Sequence, residues 1–122
     1  MSKYELYINL AIEACDKLER TNIAQLQNET VWDATLMRFQ VLGENIKKIP
    51  PSFKKKFPTI KWKNFEWFRD QISHEYKTVF KEVVRDIIQK DLSNLKKVLL
   101  EIKEEIKKSA QESPQLKSKI LK

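Results

Sequence analysis

Three side chains that can do chemistry lie within eight residues of one another: Arg69, His74 and Tyr76. His74 is the only histidine in the chain. An imidazole accepts and donates protons near neutral pH. A guanidinium holds anionic oxygens with a planar fork, and a phenol donates a hydrogen bond. Together these groups suit work on a phosphodiester. The alternative is structural: Arg69 pairs with an acid, His74 bonds at a helix end, and Tyr76 packs.

One straight helix cannot bring these three side chains together. At 100° per residue, Arg69 and His74 lie about 140° apart around the axis, and His74 and Tyr76 about 160° apart. Three arrangements are open: the helix ends near Ser73 and the chain turns, the triplet is structural, or two copies of the chain share the site. The shared site has independent support. Cleavage of RNA by its own 2′-OH profits from a base and an acid, and a two-fold dimer supplies two imidazoles.

Lysines are concentrated just before this triplet. From Ile46 to Phe65 the chain has seven lysines and no acidic residue, and its net charge is +7. Such a charge favours polyanions, and basic residues interleaved with aromatic ones suit a groove for single-stranded nucleic acid. We expect Trp62 to be a core residue. The residues predicted to guide RNA, called the basic patch below, are Lys54, Lys55, Lys56, Lys61 and Lys63.

Composition narrows the class of protein. The 122 residues predict one domain, and one Gly with four Pro predicts helices with few tight turns. Cys15 is alone, so no intramolecular disulfide can form, and a reducing cytoplasm is the expected compartment. Cys15 also fits an apolar helical stripe and is predicted to be buried. No apolar run approaches the length of a membrane span, and the first residues do not resemble a signal peptide.

Hydrophobic periodicity predicts an all-α, up-down bundle of four to five helices. Residues 1–110 form the bundle and 111–122 a flexible basic tail. The expected helices are Lys3 to Leu18, Glu29 to Lys48, one from about Lys61 into the motif, Val79 to Gln89, and a fifth capped by Asp91, with short helical turns at Ile23 to Leu26 and within Pro51 to Pro58. The second helix carries two neighbouring apolar stripes, which indicates contact on two sides, one of them with a second subunit.

Four segments resemble a known family in the same order along the chain. The Arg69-x4-His74-x-Tyr76 triplet resembles the signature of HEPN domains, and among them the HepT-like toxin ribonucleases. Leu42–Pro50 is similar to the family's Gly-Glu helix end, Phe57–Trp62 to its approach to the motif helix, and Asp91–Leu95 to the start of its last helix. The resemblance covers roughly Glu29 to Ile106.

This resemblance implies a metal-independent endoribonuclease, the toxin of a two-gene system whose antitoxin is a nucleotidyltransferase. It also implies a homodimer with composite sites, and a larger hetero-oligomer that contains this dimer is compatible with it. The implied products end in a 2′,3′-cyclic phosphate and a 5′-OH. His74 then moves protons, Arg69 holds the phosphate, and Tyr76 donates to a phosphate oxygen and accepts AMP from the antitoxin. Asp70 orients Arg69, and Ser73 is a supporting donor. No metal or cofactor is expected.

One departure from the family pattern leaves a second reading open. After Tyr76 the family's usual Phe-Gly is Lys77-Thr78 here, which changes the turn that poses the phenol. The alternative is a non-catalytic helical subunit that binds a substrate or nucleotide for a nucleotidyltransferase. Substitution of His74 discriminates between the two readings, because only an enzyme loses cleavage with its imidazole.

Overall fold

A computed structural model describes residues 2–112 of the chain, with side chains described as far as residue 109. Within that range the protein is helical and no strand occurs. The helices are α1 (Lys3–Glu19), α2 (Glu29–Lys48), α3 (Pro51–Lys54), α4 (Trp62–Glu75), α5 (Lys81–Asp86) and α6 (Leu92–Glu112). Turns of 3₁₀-helix cover Ile23–Gln25 and Tyr76–Thr78, and a π-helical turn covers Ile87–Asp91. The predicted all-α fold is confirmed.

Local signals account for the helix ends that were predicted most closely. Ser2 Oγ accepts a hydrogen bond from the Glu5 amide at 3.1 Å, and Asn28 Oδ1 accepts one from the Val31 amide at 3.1 Å. Each side chain satisfies a backbone donor that the first helical turn leaves without a partner. Pro50 and Pro51 follow the end of α2, where neither ring nitrogen can donate a hydrogen bond. The bounds of α2 agree with the prediction at both ends.

The core lies where the long helices bury one apolar stripe each. α1 packs against α2 and α6, and α2 also packs against α4. On α1 the predicted stripe is buried at Ile8, Ala11, Cys15 and Leu18, and half-buried at Tyr4 and Ile12. Lys96 of α6 bridges to Asp16 and Glu19 of α1 at the edge of this contact. The largest fully buried side chains are Ile8, Leu18, Leu26, Phe39, Leu42, Ile46, Ile49, Leu92, Leu95, Leu99, Ile102 and Ile106.

The prediction of two separate helices after Val79, with Asp91 capping the second, is wrong. α5, the π-helical turn and α6 follow one another without a break from Lys81 to Glu112. Asp91 therefore lies inside a continuous helix, in the π-helical turn, which is defined by i→i+5 backbone hydrogen bonds. The sequence between Ile87 and Leu92 contains no Pro or Gly that would stop a helix, which is the physical reason the chain continues.

The C-terminal end of the chain can be compared with the prediction only as far as residue 112. α6 continues to Glu112, so the helix extends past the predicted end of the bundle at residue 110. The rest of the predicted tail lies outside the described residues. Among the residues that the structure describes, no helix has the length and apolar character needed to cross a membrane.

Candidate active site

The helix that carries the motif, α4, is anchored at its first residue. The Trp62 indole Nε1 donates to the backbone oxygens of Lys54 at 3.1 Å and Phe57 at 3.2 Å. Trp62 is buried, and Phe53 and Phe57 are half-buried against the core. The connector from Pro50 onward is therefore fastened to the start of α4, and the core assignment of Trp62 is confirmed.

The contact between α2 and α4 depends on Gly43. A Cβ atom placed on Gly43 would lie 2.5 Å from the Arg69 Cβ and 2.8 Å from the Phe65 carbonyl oxygen. Real side chains do not approach that closely, and the Phe65 oxygen belongs to the backbone of α4. Beside this contact, the rings of Phe39 and Phe68 meet edge to face with centroids 5.1 Å apart. Gly43 therefore permits a close helix crossing that places the stem of Arg69 against α2.

Gly43 is a site residue that the sequence reasoning did not single out. It is the only glycine in the chain, and it lies inside a helix where glycine is less favourable than alanine by about 1 kcal/mol. A glycine kept in a helix interior indicates close packing. That signal was present in the sequence, but its partner, Arg69, lies 26 positions away and is visible only in the fold.

The stem of the Arg69 side chain is covered by the α2–α4 contact, and the side chain as a whole is partly exposed. That side chain is 34% exposed, and Nη1 donates to Asp70 Oδ1 at 3.1 Å. Its Nε is buried and has no hydrogen-bond partner among the described residues. The contact with Asp70 is the one expected for an acid that orients the guanidinium. It also fits the structural reading, in which Arg69 only pairs with an acid.

His74 lies in the last turn of α4 and is exposed to solvent. Within the described part of the chain its ring has no hydrogen bond or ion pair. α4 passes through Ser73 and ends at Glu75, two residues beyond the predicted helix end near Ser73, so His74 itself stays on the helix. Glu75 then leaves the helical conformation, with φ −144° and ψ 50°, so the chain turns between His74 and Tyr76. An open, unbonded imidazole contradicts the structural reading of this residue.

Tyr76 follows in the 3₁₀ turn and is 53% exposed. It lines a shallow groove of about 250 Å³ between α2 and the end of α4, with Met37, Gln40 and Ser73. In that groove Gln40 Nε2 donates to Ser73 Oγ at 3.3 Å. Ser73 is therefore tied to α2, and Tyr76 is not packed away as the structural reading required.

Helix geometry sets Arg69 and His74 on different sides of α4 within one chain. The stem of Arg69 lies against α2, whereas His74 is about 140° further round α4 on its solvent side. The helix is regular through both positions. Of the arrangements that the sequence left open for a functional site, sharing between two copies is the one this geometry favours.

The basic patch divides into two groups. Lys54 has a side chain only 13% exposed, donates to the Ile46 carbonyl oxygen at 3.0 Å, and lies 3.7 Å from a carboxylate oxygen of Glu66. Lys56 lies 3.3 Å from Glu105 of α6. Lys54 is therefore a structural cation that closes the end of α2, which was not expected. Lys55, Lys61 and Lys63 are exposed and form no ion pair with the described residues.

Other reactive groups do not add to this site. Burial raises the pKa of the Cys15 thiol to about 12, with Glu19 and Asp16 adding to the shift. A thiol in that state is a poor nucleophile. In residues 2–112 there is no group of three or more His, Cys, Asp or Glu side chains that could hold a metal ion.

Comparison with known proteins finds relatives whose names include a ribonuclease. The chain is 29% identical over 110 residues to a protein of Methanocaldococcus jannaschii named gamma-glutamylcyclotransferase and putative RNase, covering 86% of this chain and 50% of that protein. It is 28% identical over 102 residues to a putative RNase of Caldanaerobacter subterraneus, covering 79% of this chain and 90% of that one.

A third relative, named probable ribonuclease HepT, comes from Thermococcus cleftensis and is 32% identical over 63 residues, covering 52% of this chain and 57% of that one. The chain thus spans about half the length of the Methanocaldococcus protein. No solved structure matches the chain significantly. Residues 7–102 match the family described as ribonuclease HepT-like, and that range includes the whole motif and most of the bundle. The protein is therefore a member of the ribonuclease HepT-like family.

Proposed function

We propose that this protein is a metal-independent endoribonuclease that cleaves RNA at a composite site between two copies of the chain. The observation that carries the proposal is the state of His74, which is the only imidazole, exposed and unbonded among the described residues, on the helix that also presents Arg69. The family and the names of the relatives support the same reaction class.

The chemistry follows from the side chains. His74 of one copy removes the proton from a 2′-OH, and the 2′ oxygen attacks the adjacent phosphorus. His74 of the second copy donates a proton to the 5′ oxygen as the P–O bond to it breaks. This leaves a 2′,3′-cyclic phosphate and a 5′-OH. Arg69 stabilises the charge that grows on the phosphate oxygens, and Tyr76 donates a hydrogen bond to one of them.

The proposed dimer uses the surface beside the end of α4. Met37, Tyr76 and Phe80 are large apolar or aromatic side chains that remain exposed in the single chain. Met37 and Tyr76 line the same groove between α2 and α4. A two-fold axis through this surface repeats it on both copies and brings the two motifs together. The exposed lysines Lys55, Lys61 and Lys63 then guide the phosphate backbone toward the site.

Incubation of purified protein with single-stranded RNA tests the enzyme. We expect cleavage, and a loss of about a hundredfold to ten-thousandfold in His74→Ala, because one side chain supplies the proton transfers. Glu75→Gln is a matched control, since it alters the neighbouring exposed residue without removing a proton carrier near neutral pH. Cleavage that persists in His74→Ala, or is absent from the unaltered protein, refutes the proposal.

The proposed biological setting is a toxin controlled by a nucleotidyltransferase antitoxin in a reducing cytoplasm. The exposed phenol of Tyr76 can attack the α-phosphate of ATP held by that partner. An O–P bond to Tyr76 forms, the bond to the β-phosphate breaks, pyrophosphate leaves, and the phenolic proton goes to solvent. The added AMP phosphate occupies the place of the substrate phosphate near Arg69, which blocks the site.

Mass spectrometry after co-expression with a nucleotidyltransferase tests this modification. We expect a mass gain of one or more AMP units located on Tyr76 and absent from Tyr76→Phe. The exposed fraction of Tyr76 is the structural support for this expectation. An unmodified Tyr76 in protein that is nevertheless inactive would refute it.

A second function has one specific observation in its favour. The Arg69 guanidinium already pairs with Asp70, so its fork is not fully open to a phosphate. A non-catalytic helical subunit, which binds a substrate or nucleotide for a nucleotidyltransferase, would tolerate that pair. In that case RNA remains intact with both the unaltered protein and His74→Ala, while nucleotide binding persists.

A further inference from the structure

A second and larger groove lies between α4 and the α5–α6 helix, and none of the proposed catalytic residues lines it. Its volume is about 520 Å³, within the range of sites that take small organic ligands. Its apolar side includes Ile60 and Phe68, which are buried, and Ile87, which is half-buried. A flat apolar group such as a nucleobase could therefore rest there against hydrocarbon and a phenyl ring.

Polar groups surround this apolar floor and remain available. Asn64 of α4 and Asn94 of α6 both line the groove, and neither side chain has a hydrogen bond with any described residue. A carboxamide offers both donors and acceptors, which matches the edge of a base. Asp91 adds an acceptor, and Lys61 and Lys90 add positive charge at the same groove. A partner helix would require a longer apolar strip, whereas paired amides with lysines fit a base and its phosphate.

Trp67 connects this groove with the motif. It lines the groove and is 63% exposed, although a tryptophan is usually among the more buried residues. Trp67 and His74 are seven residues apart on a regular helix, so they share one face about 10 Å apart along the axis. Indole rings in such positions stack bases of single-stranded RNA. A short single strand of RNA can reach from one residue to the other.

The π-helical turn shapes the far wall. Ile87, Lys90 and Asp91 all belong to that turn and all line the groove. A π turn is rare and is frequently found at functional sites. Here it presents an apolar, a basic and an acidic side chain to one cavity.

We propose that this groove binds one base of a single-stranded RNA, stacked on Trp67 and read by the amides of Asn64 and Asn94, while a nearby phosphate lies at His74. The inference rests on the proposed ribonuclease function and adds a site that selects where along the strand the cut falls. The groove prefers the base, whether adenine, cytosine or uracil, whose hydrogen-bonding edge best matches the two amides and Asp91.

The test uses the His74→Ala protein, which should bind RNA without cutting it, labelled with ¹⁵N at its three tryptophans. Short single-stranded oligonucleotides of A, C or U are added in turn. We expect the indole signal of Trp67 to shift with the preferred oligonucleotide. The signal of Trp62, whose indole is already bonded to two backbone oxygens, should stay in place. Nucleoside 5′-monophosphates, which have no internucleotide bond to cut, serve as a second probe on the unaltered protein.

Substitutions make the assignment specific. Trp67→Ala and Asn94→Ala should each weaken binding of the preferred oligonucleotide by about tenfold or more, because one stacked base or one paired amide is lost. Ser93→Ala changes the neighbouring exposed residue of α6, which does not line the groove, and should leave binding unchanged. Loss of discrimination between bases in Asn94→Ala would support the amide reading directly.

The outcomes separate this inference from the proposed reaction. If the unaltered protein cleaves RNA while the Trp67 signal is unmoved by every probe, the groove inference is wrong and the ribonuclease proposal stands. If the probes bind at Trp67 but no RNA is cut, the site stands and the reaction fails. If the Trp67 signal shifts with protein concentration and not with RNA, the groove is an interface between copies and the inference is overturned.

Discussion

The two faces of α4 differ in what they contribute to the molecule. The inner face buries Phe68 and Ile72 against the core and holds the Arg69 stem over Gly43. The outer face presents Trp67 and His74 as exposed side chains. The same helix therefore combines a rigid support with an open chemical surface. Substitutions of the buried apolar side chains on the inner face should change stability, and substitutions on the outer face should change activity. Arg69 belongs to both groups, because its stem packs on the inner side while its side chain is 34% exposed.

The difference explains how one helix can place reactive groups without hiding them. The backbone of α4 is fixed by Trp62 at its start and by the Gly43 contact at its middle. His74 lies two turns beyond Trp67 on the same anchored helix, and its ring is exposed to solvent. Precise placement comes from the buried side, and access comes from the exposed side.

The largest effect is expected from two adjacent aromatic residues on opposite faces. Phe68→Ala should destabilise the protein by about 3–5 kcal/mol, because a ring that is 3% exposed leaves a cavity beside Phe39. Trp67→Ala should change stability by less than about 0.5 kcal/mol. Urea unfolding of both variants measures the contrast. Similar losses in the two variants would show that Trp67 is covered in solution.

Burial in the core also makes the Cys15 thiol unreactive, and the pH dependence of stability tests this. The pKa of the thiol rises from 9.0 to about 12 on burial, so the folded protein keeps a proton that the unfolded chain releases. The contribution of the protonated thiol to the free energy of unfolding is fully present below about pH 9 and is lost as the pH rises. The loss is about 3 kcal/mol at pH 11.

Urea unfolding at pH 8, 10 and 11 measures this loss. Cys15→Ala has no thiol to titrate, so its stability should fall less steeply over the same range. Equal slopes in the two proteins would contradict the assignment. Thiol reagents should also fail to modify folded Cys15 at pH 8, because the residue is buried.

The Gly43 contact is tested by adding one methyl group. Gly43→Ala should destabilise the protein by about 1–3 kcal/mol, since the new Cβ meets the Phe65 backbone oxygen and the Arg69 stem. It should also lower cleavage, because Arg69 must move. Helix propensity alone predicts the opposite sign, a gain of about 1 kcal/mol.

A reverse substitution calibrates this prediction. Ala34→Gly lies on the same helix in a half-buried position and should lose about 1 kcal/mol from propensity alone, without affecting cleavage. Denaturant unfolding and cleavage kinetics on both variants decide the matter. A stabilised and fully active Gly43→Ala would mean that the close crossing is not needed.

The smallest expected effect is the loss of cleavage when Arg69 is replaced by another cation. Arg69→Lys keeps the aliphatic stem and the charge but loses the planar fork, so cleavage should fall by about tenfold with stability nearly unchanged. Arg38→Lys on α2 is the matched control, because Arg38 is also half-buried but lies outside the motif. Cleavage rates and melting temperatures give the comparison. Equal rates in both variants would remove the guanidinium from the mechanism.

Much of the fold could be predicted because its signals are local. Asn28 and Pro50 mark the two ends of α2, and each acts within one turn of its own position. The α1 stripe and its buried Cys15 follow from a period of 3.6 residues. The division of the last helix at Asp91 failed for the same reason, because a residue that often caps a helix can also lie inside one.

The amino-acid sequence alone determined that this protein is helical, where most of its helices begin and end, and which imidazole, guanidinium and phenol stand close together along the chain. Tertiary structure decided which face of α4 is buried, that Gly43 supports Arg69, that Lys54 closes the end of α2, and that Trp67 borders a groove. Helix ends depend on neighbours within a few residues. The contacts of Gly43, Lys54 and Trp67 join different helices, and only the packed fold brings those helices together.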